Sequence, residues 1–465
     1  MMFNDSPFIY SRQRLWIGIS AISQVILGIF SIVMPMTYLP LVFVPLLIAL
    51  IYYKPIISYL VLILFLPNYG IDLLNLGGQA DISLLEPALF LAFMGFTFLF
   101  IKKEKLNLYF TEVELAMFLL LLWTIFSIFW TPVQVRGIVQ IIKILIGFVI
   151  YFLSTTMINK RKDFNTVVGA WVALVLVISI LGTYETFTKG FSAATSYTYT
   201  PGYDKIHKDV RTTALFEGAD MVGFITSLVI VLIITYLAIL PRGKWKTILL
   251  IVLPLAIFTF LTAMSRKSFV ALLGALFFMQ LMLRKKFLSK IFYTILISFF
   301  IALSVILIAG TPGFFEALSE RVMSMFMSPE VSIKYRLDAW TVGIDMFTQS
   351  PIIGKGLGSF YHDSMIAGSL LNFPHNFYIF ILSELGLVGL FLLIFWWFQI
   401  GSKFIKLLSN CANEETRVIA IGLIAGLITI GLHMAFRSFS LTDPTFWGYM
   451  GLTSAFLKIH SQEVK

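Results

Sequence analysis

Three observations in the sequence predict an all-α polytopic membrane protein. Of 465 residues, 59% are hydrophobic and only 12% are charged, about half the charged share of a soluble chain. Apolar runs of membrane-spanning length recur from end to end, and they are continuous rather than alternating, so helices are implied and not a barrel. Lys and Arg also concentrate in every second loop, as they do when a chain crosses a bilayer repeatedly.

About fourteen transmembrane helices are expected, near 15–34, 38–53, 56–67, 83–101, 113–130, 137–157, 165–183, 221–240, 247–264, 268–283, 291–310, 376–400, 418–436 and 445–458. A count of twelve also fits, because short spans can be re-entrant or tilted. The first span follows Arg12 and Arg14 with no small-x-small cleavage site behind it, so it reads as an uncleaved anchor. With both termini cytoplasmic, the cytoplasmic segments hold 21 basic residues and the opposite side 12. The net charge of +10 is therefore a topology signal and not a nucleic-acid footprint. The single Cys411 excludes an internal disulfide framework and a cysteine-rich metal site.

Residues 1–465 read as a single integral membrane domain with two long extracytoplasmic loops, 184–220 and 311–375. The second loop is expected to form a helical cap between the spans near 291–310 and 376–400. It contains "EALSERVMSMF" (316–326), with the spacing of a surface helix, and "YRLDAWTVGIDMF" (335–347), a second amphipathic helix. "QSPIIGKGLGSF" (349–360) follows as a tight glycine loop whose backbone can approach a ligand closely.

The polar residues of interest gather on the extracytoplasmic side. Arg266, in "TAMSRKSF", sits in a very short turn; it fits a snorkelling anchor, a role Lys267 could fill alone, or an anion contact. Arg336 starts the cap helix, and Arg211 comes shortly before the eighth span. His375 and Asn376 open the span near 376–400. On a continuous helix Gly386 lies about 20° and Gly389 about 40° round from His375, which would set a glycine face beneath the imidazole. Glu384 falls about 180° away and roughly 13 Å deeper; it is expected to pair with a buried donor on another span. His433 and Arg437, at i and i+4, are candidates to line the same cavity.

There is no phosphate-cradling GxxxxGK[ST] loop and no His-Glu-x-x-His or acidic metal-binding cluster. Guanidinium forks suit phosphate or diphosphate, and a histidine suits removal of a hydroxyl proton. Outside the membrane no nucleotide energy is available, so group transfer there needs a pre-activated donor such as a polyprenyl-diphosphate sugar.

The string His375-Asn376, nine residues, Gly386, two residues, Gly389 resembles the signature of the bacterial O-antigen ligase and O-antigen polymerase superfamily. So do Arg336 with Trp340, the "PIIGKGLGSF" loop and the turn carrying Arg266. The likeness spans roughly 211–395. It implies a metal-independent, cofactor-free inverting glycosyltransferase in the bacterial inner membrane. The donor it implies is an undecaprenyl-diphosphate-linked glycan, and the acceptor a glycan or lipid hydroxyl, in O-antigen, capsule or exopolysaccharide synthesis. Polymerase is favoured over ligation to lipid A core, and other polysaccharide-assembly membrane proteins are possible partners. Carried over, His375 is the base, Arg266 and Arg336 hold the diphosphate, and Arg211 matches more loosely. The alternative from another class is a transporter or flippase of lipid-linked glycans.

Overall fold

The computed structural model describes residues 47–67, 72–74, 82–102, 110–189, 212–214, 216, 218–308, 331–369, 371, 373–436 and 440–463. The span expected at 15–34, most of that at 38–53, and the surface helix at 316–326 lie outside the described residues.

Each expected span from 56–67 onward has its helix. In chain order these are α1 (Ile56–Leu64), α2 (Leu85–Ile101), α3 (Glu112–Phe126), α4 (Gln134–Met157), α5 (Arg161–Lys189), α6 (Ala219–Ile239), α7 (Lys244–Thr262), α8 (Arg266–Met282) and α9 (Lys285–Ile308). The expected cap helix is α10 (Val331–Gln349), followed by a short α11 (Ser359–Ile366), and then come α12 (Phe377–Asn410), α13 (Glu414–Met434) and α14 (Pro444–Glu463). Two short antiparallel strands, β1 (Asp72–Leu74) and β2 (Ile82–Ser83), precede α2 and were not anticipated from the apolar pattern. Among the described residues, 7 helices are long and apolar enough to cross a membrane by themselves. At 17 residues each, α2 and α8 fall just short of that length.

The helix starts follow from local chemistry. Thr111 and Glu114 form a capping box at α3, and Asn413 caps α13 through the Glu415 and Thr416 amides. At the centre of the bundle is α6, buried along almost its whole length and packed against α5, α7, α8 and α13. Its apolar side chains are continuous rather than confined to a stripe, as expected of a helix surrounded by others. At one end of the bundle, Lys458 of α14 donates to the Thr155 carbonyl and Asn159 Oδ1, at 2.8 and 3.0 Å, tying α14 to the end of α4.

At the other end, α12 departs from the sequence expectation. Its 34 residues would extend about 51 Å as a straight helix, against a hydrocarbon core of about 30 Å. The helix is broken at Gly386, whose φ of 68° and ψ of −165° are not helical. Breaking it frees backbone donors and acceptors, and the 351–356 loop supplies both kinds of partner. Leu387 and Val388 N–H donate to the Pro351 and Ile352 carbonyls at 2.9 and 3.2 Å. In return Lys355 and Gly356 N–H donate to the Ser383 and Glu384 carbonyls at 3.0 and 2.8 Å.

Glu384 completes this junction. Its carboxylate is buried and accepts from Gly358 N–H at 2.9 Å and Phe360 N–H at 3.0 Å, at the start of α11. Its partners are thus cap backbone amides, and not the side-chain donor on another span that was expected. The same contacts correct the reading of the glycine loop. A Cβ on Gly354 would lie 2.3 Å from the Glu384 carbonyl carbon, so the loop is pressed onto protein backbone and not opened toward a ligand.

The break also revises the depth of Glu384. Trp123 Nε1, near the end of α3, donates to the Leu385 carbonyl at 3.0 Å, and Leu357 N–H donates to Ser127 Oγ at 3.1 Å. The junction is therefore level with the end of α3. From there residues 377–385 lead over the bundle end to α13, where Tyr378 donates its hydroxyl to the Gly431 carbonyl at 3.0 Å. Gly343 of α10 sits against Ile379, so the cap helix follows the same segment.

Gly386→Ala is expected to lower stability by about 2–4 kcal/mol, combining left-handed strain with displacement of packed backbone; the added Cβ would lie 2.4 Å from the Ile352 carbonyl oxygen. Gly401→Ala, mid-helix where a Cβ meets nothing within 4 Å, should leave the melting temperature in detergent unlowered or slightly raised.

Candidate functional site

His375 precedes α12 and has a φ of 49°, a left-handed conformation disfavoured for a residue with a Cβ. Neighbours on both sides hold it. Trp340 Nε1, one turn after Arg336 on α10, donates to the Pro374 carbonyl at 2.7 Å. Asn376 Oδ1 accepts from Tyr378 and Ile379 N–H at 3.0 and 3.2 Å, which makes Asn376 the N-cap of α12. The half-buried imidazole between them is thus aimed by a cap and an indole.

The ends of α6 and α8 face this histidine. Asp220 lies in the first turn of α6, where a carboxylate is favoured by the helix dipole. Its Oδ2 pairs with Lys267 Nζ at 2.9 Å and its Oδ1 accepts from Ser265 Oγ at 3.0 Å. The Lys267 side chain is 11% exposed and the Asp220 side chain 40%, so the pair is lodged at the lip with the carboxylate outermost. Gly223 lets the two helices meet this closely, since a Cβ there would lie 2.7 Å from Ser268 Oγ.

A hydrogen-bonded chain continues inward. Ser268 Oγ donates to Ser265 Oγ at 2.9 Å, and His433 Nε2 contacts Ser268 Oγ at 3.2 Å. With the serine proton given to Ser265, His433 Nε2 is the donor. The His433 ring is buried and packs at a tilt against Phe224, with centroids 4.6 Å apart.

These charges set the protonation state of the imidazole. Burial first, then the Arg336 and Lys267 cations, push His375 from its ordinary 6.5 down to about 4, while Asp220 acts in the opposite sense. The imidazole is therefore neutral at any pH well above about 4, the form that accepts a proton.

The sequence-predicted residues divide accordingly. His375 and Arg336 come together within electrostatic reach. Arg266 opens α8 beside Lys267 and is half-buried. Arg211 and Arg437 lie outside the described residues; the following Thr213 and Ala214 are strapped by their amides to Glu185 at 3.0 and 2.7 Å. Since α13 ends at Met434, the i, i+4 face assumed for His433 and Arg437 stops one residue past the histidine. His433 points into the bundle toward Ser268. Gly386 and Gly389 serve the break in α12: a Cβ on Gly389 would lie 2.3 Å from the Leu385 side chain of its own helix.

Sequence reasoning assigned Lys267 an anchoring role and passed over Asp220. The available signal was an acid immediately before a span predicted to start, at 221, on the same side as the Ser-Arg-Lys-Ser turn.

Residues 251–394 match a family model described as O-antigen ligase. The match runs from α7 into α12 and includes Arg266, Lys267, Arg336, His375 and Glu384. Comparison with curated proteins gave no match.

Arg336→Gln should raise the pH at which His375 protonates, because one of the two cations that disfavour the imidazolium is removed. Titration of the histidine ring signals by NMR, with His375→Asn to assign them, checks the direction.

Proposed function

We propose, from the O-antigen ligase domain carried over residues 251–394, that this multi-pass membrane protein transfers a glycan from an undecaprenyl diphosphate to an acceptor hydroxyl. On this proposal the reaction takes place at the outer face of the bacterial inner membrane. The observation that carries this reading is a neutral, conformationally constrained histidine set beside the Arg336 and Lys267 cations at one end of the bundle.

In this reading His375 accepts the proton of the acceptor hydroxyl as its oxygen bonds to the anomeric carbon. The bond from that carbon to the diphosphate oxygen breaks on the opposite face, and the leaving diphosphate keeps the electron pair, so the configuration inverts. Arg336, Lys267 and Arg266 take up the charge that develops on the leaving group, an electrostatic contribution that does not require a metal. The cations that weaken His375 as a base are the ones the diphosphate neutralises. Donor binding thus restores basicity to the imidazole when it is needed.

For the acceptor we favour the next lipid-linked repeat unit, giving polymer extension, over lipid A core. Purified protein supplied with lipid-linked repeat units, with and without lipid A core, tests this directly. Longer lipid-linked chains would support polymerisation, and transfer only when core is present would establish ligation. Transbilayer movement without a new glycosidic bond would overturn the transferase reading.

His375→Ala should reduce product formation by about 10²–10⁴-fold, the usual contribution of a general base, while the protein still accumulates in the membrane. Wild-type polymer in that variant would remove the histidine from the mechanism. Arg266→Lys keeps the charge but loses the planar fork, and a fall in turnover in the same assay is expected.

A further inference from the structure

Asp220 lies outside the matched region, on the central helix α6, and the catalytic reading leaves it unused. Its surroundings are specific. One carboxylate oxygen holds the Lys267 ammonium at 2.9 Å and the other is fixed by Ser265 at 3.0 Å. Ser265 is itself fixed by Ser268, and Ser268 by the buried His433, so the carboxylate is oriented from below by a relay of three side chains. The charged groups that act on His375 come from three elements: Arg336 from α10, Lys267 from α8 and Asp220 from α6. Asp220 is the sole anion among those named.

We propose that Asp220 is a positioning residue that competes with the donor's diphosphate for Lys267 and, once displaced, steadies the protonated His375. This rests on the glycan-transfer reading above. An ammonium that is only 11% exposed holds an anionic partner strongly, and a diphosphate must take the place of the carboxylate to use it. The exchange separates Asp220 from the Lys267 ammonium at the moment His375 acquires a positive charge. Proton transfer to the imidazole is then favoured by a nearby carboxylate, the role an acidic partner plays for a general-base histidine. Donor affinity is sacrificed to gain turnover.

The two effects have opposite signs, and that separates this role from a structural one. Asp220→Asn keeps the shape and can still accept from Ser265, but it lacks the charge. Binding of undecaprenyl diphosphate to the purified full chain in nanodiscs is expected to tighten about fivefold, the scale of a partly exposed ion pair. Turnover with lipid-linked repeat units should fall about tenfold, and the acid limb of its pH profile should move to lower pH because an anion near His375 is gone. Asp220→Glu should return the limb and the turnover toward wild type.

Weaker or unchanged binding of undecaprenyl diphosphate to Asp220→Asn, with an unmoved pH limb, overturns the proposal while leaving the transferase reading intact. If wild-type protein shows no binding of undecaprenyl diphosphate at all, the transferase reading itself fails.

Discussion

Hydrocarbon offers no partners for backbone amides and carbonyls, so a membrane helix can break only where other protein satisfies what it releases. The organisation of the site end follows from how that constraint is met at Gly386. The 351–356 loop returns two carbonyls and two amides to the broken strand of α12, and Glu384 gathers the next two free amides, those of Gly358 and Phe360. A buried carboxyl group receiving two backbone N–H groups satisfies donors that would otherwise be left without partners at the break. It locks α10, α11 and the upper part of α12 into one cap, and it sends residues 377–385 over the bundle end. His375 is carried at the far tip of that segment, to the place where α6 and α8 begin and α13 ends.

What the imidazole meets there is a balance of charge. Two cations and one anion lie within reach, the solvent is partly excluded, and the ring stays neutral. A lip of this kind differs from a general-base site built on a histidine–carboxylate hydrogen bond alone. In the proposed reaction these cations have a second task, because they are also what the diphosphate of the donor would meet. On that proposal, binding of the donor and activation of the histidine become a single electrostatic event rather than two.

Much of this was legible in the chain. Continuous apolar runs place the helices, because each span must be apolar throughout; the ends differ by a few residues where caps such as Asn376 and Asn413 decide them. The meeting of His375 and Arg336 at one end of the bundle, and the presence of a helical cap, were also legible, since unusual residues at a span end stand out against an apolar background. The break at Gly386 was not. A helical wheel assumes uninterrupted geometry, and nothing in "SELGLVGL" separates a glycine that admits a neighbouring helix from one that turns the chain. The roles of Gly389 and Glu384 were misread for the same reason. Lys267 and Asp220 went unrecognised because their meeting depends on the close approach of α6 and α8 at Gly223, a contact between segments far apart in sequence.

Three non-glycine residues among the described ones adopt left-handed backbone, namely Ala214, Met264 and His375. Met264 lies in the turn that presents Ser265 and Lys267, and Ala214 is itself strapped to Glu185 by its amide. Such conformations each cost about 1–3 kcal/mol and persist only where surrounding contacts impose them. The rim of this protein is therefore spring-loaded. His375, and the turns that present its neighbours, are held away from the conformations their own backbones prefer, and a chain optimised for thermal endurance alone would let them relax and lose its aim.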